Sequence, residues 1–149
     1  MIEDIIIRKA TKDDLQQVLN LYATVEIDEE EILSVSEAEV IFDRFSTYPE
    51  YSLYVACIDD IVAGTFELLI MDNLGHKGRL SGIVEDVVVD RDYRSQGIGA
   101  KMMEHAIGIC KSYGCYKLTL SSNLKRERAH GFYENFGFKK HGYSFLIEL

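Results

Sequence analysis

Apolar and polar positions along the chain switch repeatedly between the period of a strand and the period of a helix. The isoleucines ending at Ile7, followed by Arg8, predict a short β-branched strand over 5–8. Thr11 is a good N-cap, and Leu15, Val18, Leu19 and Tyr22 recur on one face of a helix that follows it. Residues 26–31, EIDEEE, are too acidic to pack and read as a solvated loop. Ser36 and Glu39 then have the spacing of a capping box, with Val40, Ile41 and Phe45 as the apolar stripe of a second helix. That helix should end before Pro49.

A β-rich block comes next. Stretches 51–58 and 61–71 flank Asp59-Asp60 and predict a hairpin, and 72–79 is a turn-rich loop. A further strand is expected over 82–89, which carries a run of three valines. Ile98, Met102, Ala106 and Ile109 or Cys110 restore helical spacing over about 99–113. Residues 116–120 alternate like a strand. Ala129, Phe132, Tyr133 and Phe136 are again helical and stop at Gly137. Two last strands are expected over 138–140 and 143–149. The resulting order, β-α-α-β-β-β-α-β-α-β-β, mixes hairpins with strand–helix–strand crossovers and predicts an α/β fold, a mixed sheet covered by helices.

At 149 residues, with one proline and no repeat or linker-like tract, the chain reads as a single domain over 1–149. Its acidic start and short isoleucine run resemble neither a signal peptide nor a membrane span. Cys57, Cys110 and Cys115 form no C-x-x-C pair, which suits reduced thiols in a cytoplasmic protein. His76, His105, His130 and His141 lie far apart, so no metal is expected. A net charge of −9 argues against nucleic acid as a partner, because phosphate binding needs a basic surface.

The chemistry concentrates in VEDVVVDRDYRSQGIGA, residues 84–100. A strand runs directly into Arg94-Ser95-Gln96-Gly97-Ile98-Gly99, which opens a helix. Glycines there let the backbone approach a phosphate, and the first N–H groups and dipole of the helix favour an anion. A tight strand–helix connection without a ligand would look the same. The dinucleotide fingerprint is not satisfied, since Met102 stands where a third glycine would fall, and the Walker loop is absent, since no Gly-Lys-Ser or Gly-Lys-Thr follows.

Arg94-x-x-Gly97-x-Gly99 after a hydrophobic strand resembles the [Q/R]-x-x-G-x-[G/A] signature of the GNAT superfamily of acyl-CoA-dependent N-acyltransferases. Asn123, Ala129-His130-Gly131-Phe132-Tyr133 and Gly137-Phe138 resemble that family's second block, and the element order is similar throughout. The resemblance implies splayed central strands and acetyl-CoA as co-substrate, with no metal. It places the coenzyme A diphosphate on the backbone of Gln96, Gly97, Ile98, Gly99 and Ala100, with Arg94 beside it or anchoring the loop. Val87, Val88 and Val89 would pair with the pantetheine arm, Val87 offering its N–H to the thioester carbonyl, and Asn123 would bond the arm.

Acetyl transfer to nitrogen poses two proton problems. An alkylamine with a pKa of about 10.4 must lose a proton before it attacks, and a departing thiolate, near 8.5, benefits from a donor. By the resemblance, Tyr133 is the donor, although its spacing also suits a core tyrosine. Glu85 and Asp86 are adjacent acids in an apolar strand, costly there unless they line a wet cleft or meet a partner. Successive strand residues point to opposite faces, so only one can aim at a given cleft unless a bulge intervenes. Similarity to polyamine acetyltransferases assigns Glu85 as general base and Asp86 as an amine-binding or structural residue.

Two departures from the family pattern stand out: Gly131 where arginine is common, and a long spacing from Asn123 to Ala129, through Lys125, Arg126 and Arg128, as in aminoalkylphosphonate N-acetyltransferases. The expected acceptor is the primary amine of a small molecule. The alternatives are a peptide N-terminus or lysine, or a non-catalytic acyl-CoA-binding module. No membrane partner is expected, and the apolar run at 143–149 suits a homodimer contact of the kind the family often makes.

Overall fold

The computed structural model describes residues 4–25 and 31–149, so most of the expected acidic loop at 26–31 lies outside the described residues. Contacts divide the chain into two compact units, 1–119 and 120–149. In the first unit β1 (Ile6–Lys9), α1 (Leu15–Thr24), α2 (Val35–Phe45), β2 (Tyr51–Ile58), β3 (Ile61–Met71), β4 (Ser81–Val89) and α3 (Ile98–Ser112) follow one another. β5 (Lys117–Leu120) ends at the boundary, and α4 (Glu127–Phe136) belongs to the second unit.

The sheet order is β1-β2-β3-β4-β5, with β1 to β4 antiparallel to their neighbours. The Tyr116 N–H donates to the Leu80 carbonyl at 2.9 Å, so β4 and β5 start at the same end and run parallel through the crossover α3. The sheet is therefore mixed, as the element order predicts. With four residues against nine, β5 flanks only the first part of β4.

Each sheet face carries its own core. Leu53, Val55, Cys57, Val62 and Val88 meet Leu15, Val18, Leu19 and Leu21 of α1 and Ala38 of α2. On the opposite face Ile98, Met102, Met103, Ala106 and Cys110 of α3 are buried, and Phe66 stacks on Tyr54 with ring centroids 5.0 Å apart. Gly64 and Gly82 bring α3 close. A Cβ at Gly64 would stand 2.8 Å from the Met102 sulfur, and one at Gly82 would stand 2.5 Å from that of Cys110.

Two sequence expectations shift. The capping box is Ser34 with Glu37, not Ser36 with Glu39: the Glu37 N–H donates to Ser34 Oγ, and the Ser34 N–H donates to the Glu37 carboxylate at 2.9 Å. Starting at Val35, α2 turns Val35, Ala38, Phe42 and Phe45 inward and leaves Val40 63% exposed. The strands expected over 138–140 and 143–149 do not form. Residues 143–149 have the composition of a strand, with Tyr143, Phe145, Leu146 and Ile147 all exposed. Propensity becomes a strand only beside a hydrogen-bonding neighbour, and no strand follows β5 among the described residues.

The turn into α1 is tied by charge. Asp14 is buried, accepts from Arg8 Nη1 and Nη2 at 2.7 and 2.9 Å, and takes the Thr11 N–H at 2.7 Å. The Arg8 hydrogen bonds hold the Asp14 carboxyl below its usual range against the opposing effect of burial. A depressed carboxyl stabilises the fold above its unfolded pKa and loses that contribution as pH falls through its folded value. Asp14→Asn should therefore cost about 1.5–3 kcal/mol at pH 7, as expected for hydrogen bonds to a charged group. In urea unfolding, the gap from the parent chain should close as the pH drops below about 4.

Candidate functional site

The candidate residues gather along β4. Its ladder with β3 pairs Ile83 with Leu69, Val84 with Leu68 and Glu85 with Glu67, then resumes with Val88 opposite Thr65. Asp86 and Val87 together oppose Phe66 alone, which is a β-bulge. Asp86 sits at φ 48°, a left-handed conformation that aspartate tolerates better than most residues. In a regular pleat Val84 and Val88, four apart, would share a face. Here both are buried but on opposite faces, Val84 paired with Leu68 on the α3 side and Val88 in the core with α1. The sequence left room for a bulge near the two acids, and the structure has one at Asp86 and Val87, just after Glu85.

Glu85 and Asp86 are both exposed, and Val87 and Val89 are half-buried. Partial desolvation by the surrounding strand, then the charge of Asp86, pushes the Glu85 carboxyl up. Directly across the rung stands Glu67, which sequence reasoning passed over. It is half-buried, and its Oε2 accepts from the Tyr51 hydroxyl at 2.6 Å. Burial raises the Glu67 carboxyl, Tyr51 opposes that, and Asp86 and Glu85 add to it. The Tyr51 phenol is also pushed up, by burial first and by Glu67 second. One signal was available in the sequence: a lone glutamate inside the apolar run of β3, where a charge is costly unless something compensates it. Tyr51 also borders a cavity of about 320 Å³ lined by Phe42, Phe45, Tyr48, Glu50 and Lys9.

Past Val89 the chain makes a compact loop. The Asp92 N–H donates to Asp90 Oδ1 at 2.9 Å, Arg94 Nε donates to the Val89 carbonyl at 3.4 Å, and Gln96 Nε2 donates to the Asp92 carbonyl at 3.4 Å. Arg94 thus ties the loop back to the end of β4. Ser95 and Gly97 both take positive φ, 62° and 88°. Gly97 is the N-cap of α3, and no side chain caps the helix there. The N–H groups of Ile98, Gly99 and Ala100 belong to the first turn, which has no intrahelical acceptors for them. A fifteen-residue helix opening this way from left-handed backbone offers converging amides and a favourable dipole to an anion. These residues fit a diphosphate.

The path from Glu85 through Val89 to Ala100 therefore holds most of the expected site on one stretch of the first unit. Asn123 and Tyr133 lie in the second. Asn123 Oδ1 accepts from the Lys125 N–H at 2.9 Å, and its carbonyl meets the Arg126 N–H at 3.0 Å and His130 Nε2 at 2.8 Å, shaping the turn into α4. Tyr133 is half-buried on α4, edge-on to Phe132 at 5.3 Å and to Phe138 at 5.7 Å. Burial raises its phenol and Arg126 opposes the rise, so the hydroxyl keeps its proton at neutral pH.

Residues 15–138 match the family described as Acetyltransferase (GNAT) family. Over 88 residues the chain is 36% identical to the glucosamine 6-phosphate N-acetyltransferase of Trypanosoma brucei brucei, covering 59% of this chain and 58% of that protein. It thus spans little more than half the length of that relative. It is 30% identical over 145 residues to the thialysine N-epsilon-acetyltransferase of Bos taurus, covering 89% of this chain and 83% of the relative. The crystal structure of a Trypanosoma brucei acetyltransferase superposes with a TM-score of 0.86 at 30% identity, covering 98% of this chain and all of that one.

The bulge carries a testable cost. Asp86→Gly and Asp86→Ala both remove the carboxylate, but only alanine keeps a Cβ in the left-handed region. Asp86→Gly should be the more stable of the two by about 1–2 kcal/mol, read as the difference in thermal or urea unfolding.

Proposed function

Because this chain belongs to the acetyltransferase (GNAT) family, we propose that it moves the acetyl group of acetyl-CoA onto the primary amine of a small molecule, by direct attack in a ternary complex. One observation carries this reading: the bulged strand bearing Glu85 and Asp86 runs directly into the uncapped start of α3 at Gly97. An acid able to take a proton and a cradle able to hold a diphosphate lie on a single stretch of backbone. The relation to a thialysine N-epsilon-acetyltransferase over most of both chains supports a small alkylamine as acceptor.

Acetyl-CoA supplies an acyl group already activated as a thioester. The amides of Gln96, Gly97, Ile98, Gly99 and Ala100 hold its diphosphate, and Arg94 keeps their loop in shape. Val87, Val88 and Val89 present backbone groups to the pantetheine arm, the Val87 N–H being the donor for the thioester carbonyl, and Asn123 bonds the arm. Glu85 removes a proton from the acceptor's ammonium group, so that the nitrogen keeps the electron pair that forms the new C–N bond. Asp86 attracts that cation before it is deprotonated. Tyr133 gives its hydroxyl proton to the departing sulfur, its raised proton affinity meaning that it is protonated when that step comes, and the second proton that the nitrogen sheds as the amide forms restores the phenol.

Thiol release from acetyl-CoA, measured with thialysine, spermidine, an aminoalkylphosphonate, glucosamine 6-phosphate and lysine- or N-terminal peptides, tests the whole reading. Turnover should be fastest with a small amine; release with peptides alone would turn the assignment to a protein acetyltransferase. Tyr133→Phe should lower kcat by about 10²–10⁴-fold with acetyl-CoA affinity nearly unchanged, because only the proton donor is lost. Full activity in that variant would make Tyr133 a packing residue. Gly97→Asp adds a side chain and a negative charge at the cradle and should weaken acetyl-CoA binding in calorimetry while the chain stays folded by circular dichroism.

A further inference from the structure

Residues that face each other across an antiparallel ladder have Cβ atoms about 4.5–5.5 Å apart, and like charges placed there destabilise a sheet. Glu67 and Glu85 occupy such a pair. Among the described residues, neither forms an ion pair with a lysine, arginine or histidine. Glu67 is half-buried in an apolar strand, where a carboxylate is costly unless something compensates it. Among the described residues its side-chain hydrogen bond comes from Tyr51, whose ring is stacked on Phe45 at 4.2 Å and set edge-on to Tyr48 at 5.2 Å. The phenol is therefore fixed by packing and pins Glu67 in the rung. The Asp86 bulge creates this register, since Glu85 is the last residue of β4 to pair before it.

We propose that Glu67, anchored by Tyr51, is a positioning residue for proton removal: it pairs with Glu85 across the rung, and the two carboxylates take up the acceptor's proton as one unit. This inference rests on the acetyltransferase reading above and deepens it. One proton leaves the acceptor nitrogen for a Glu85 oxygen, the nitrogen keeps its electron pair, and the charge on the pair falls from two to one. Relief of repulsion makes the dianionic pair a stronger base than an isolated glutamate, and its protons come off in two macroscopic steps that belong to both groups. Tyr51 of β2 acts on Glu67 through its hydrogen bond, and the charges that reach Glu67 are those of Asp86 and then Glu85, both from β4. From α1, which packs on β3, the one ionisable side chain is Tyr22. The three acids do not form a group able to hold a metal ion.

Carbon-13 NMR of the glutamate side-chain carboxyls, followed against pH in the free protein, tests the pairing without any acceptor. Glu67 and Glu85 should show two-step curves with shared midpoints. Glu85→Gln should reduce the Glu67 curve to one step at lower pH, and Glu67→Gln should do the same to Glu85. Tyr51→Phe, which removes a donor to the anion, should move the Glu67 midpoint upward. Single-step curves that ignore the partner's substitution would overturn the proposal. Kinetics with thialysine as acceptor supply the second readout. Glu67→Gln should move the acidic limb of the kcat/KM profile to lower pH, with a plateau loss well short of the roughly 10²–10⁴-fold expected from losing the base itself. An unmoved limb would make Glu67 merely structural and sink the catalytic part of the idea. Absence of turnover with thialysine in the parent chain would count against the acceptor reading alone, because the carboxyl titrations decide the pairing by themselves.

Discussion

Backbone strain, core packing and the placement of carboxylates meet in the β-bulge at Asp86, because one inserted residue reverses the facing of everything after it in β4. Without it, Val88 would turn away from Leu53 and Val55 and leave the α1-side core short of a buried side chain. With it, Val84 and Val88 fill both cores at once. Left-handed backbone at a non-glycine residue costs about 1–2 kcal/mol, while fully burying a valine contributes about 1.5–3 kcal/mol, so packing can hold the strain in place. Strained backbone persists where its surroundings over-determine it, often beside functional groups. Two acids sit at this bulge and a third stands across from it.

The second constraint is electrostatic. A chain of net charge −9 repels an anionic ligand at long range, so any diphosphate must be held by short-range, directional donors. The first turn of α3 provides these without side chains. Backbone amides carry no net charge and ask for no cluster of lysines, so the acidic balance of the surface is kept. The same acidity suits a cationic acceptor on the side where Glu85 and Asp86 are exposed.

Much of this was legible in the residues, for identifiable reasons. The paired strands and α-helices of the described residues follow from apolar periods that burial then enforced, and Gly97 and Gly99 stood out because a strand running into glycines and a helix has few physical uses. The register of α2 was harder to read, since two serine–glutamate pairs offer a box and only packing of Phe42 and Phe45 selects between them. Strands over 138–149 failed because propensity speaks for a segment and not for its neighbour. Glu67 escaped notice because one charge in a long strand carries no periodic signal. Its meaning depends on Tyr51, sixteen residues away, and on a bulge in another strand.

The seating of α3 has a consequence for how this molecule can change. At Gly64 and Gly82 the sheet presents bare backbone to Met102 and Cys110, and the helix rests in the space that two methyl groups would occupy. Those positions act as shims of zero thickness. A methyl at Gly64 would press on Met102 and Ile98, the latter in the first turn of the helix, and one at Gly82 on Cys110 in its last. The two ends can thus be lifted independently, which would tilt the helix axis and swing the amides of its first turn. The direction of those amides is therefore open to change through the floor beneath the helix as well as through the loop that leads into it.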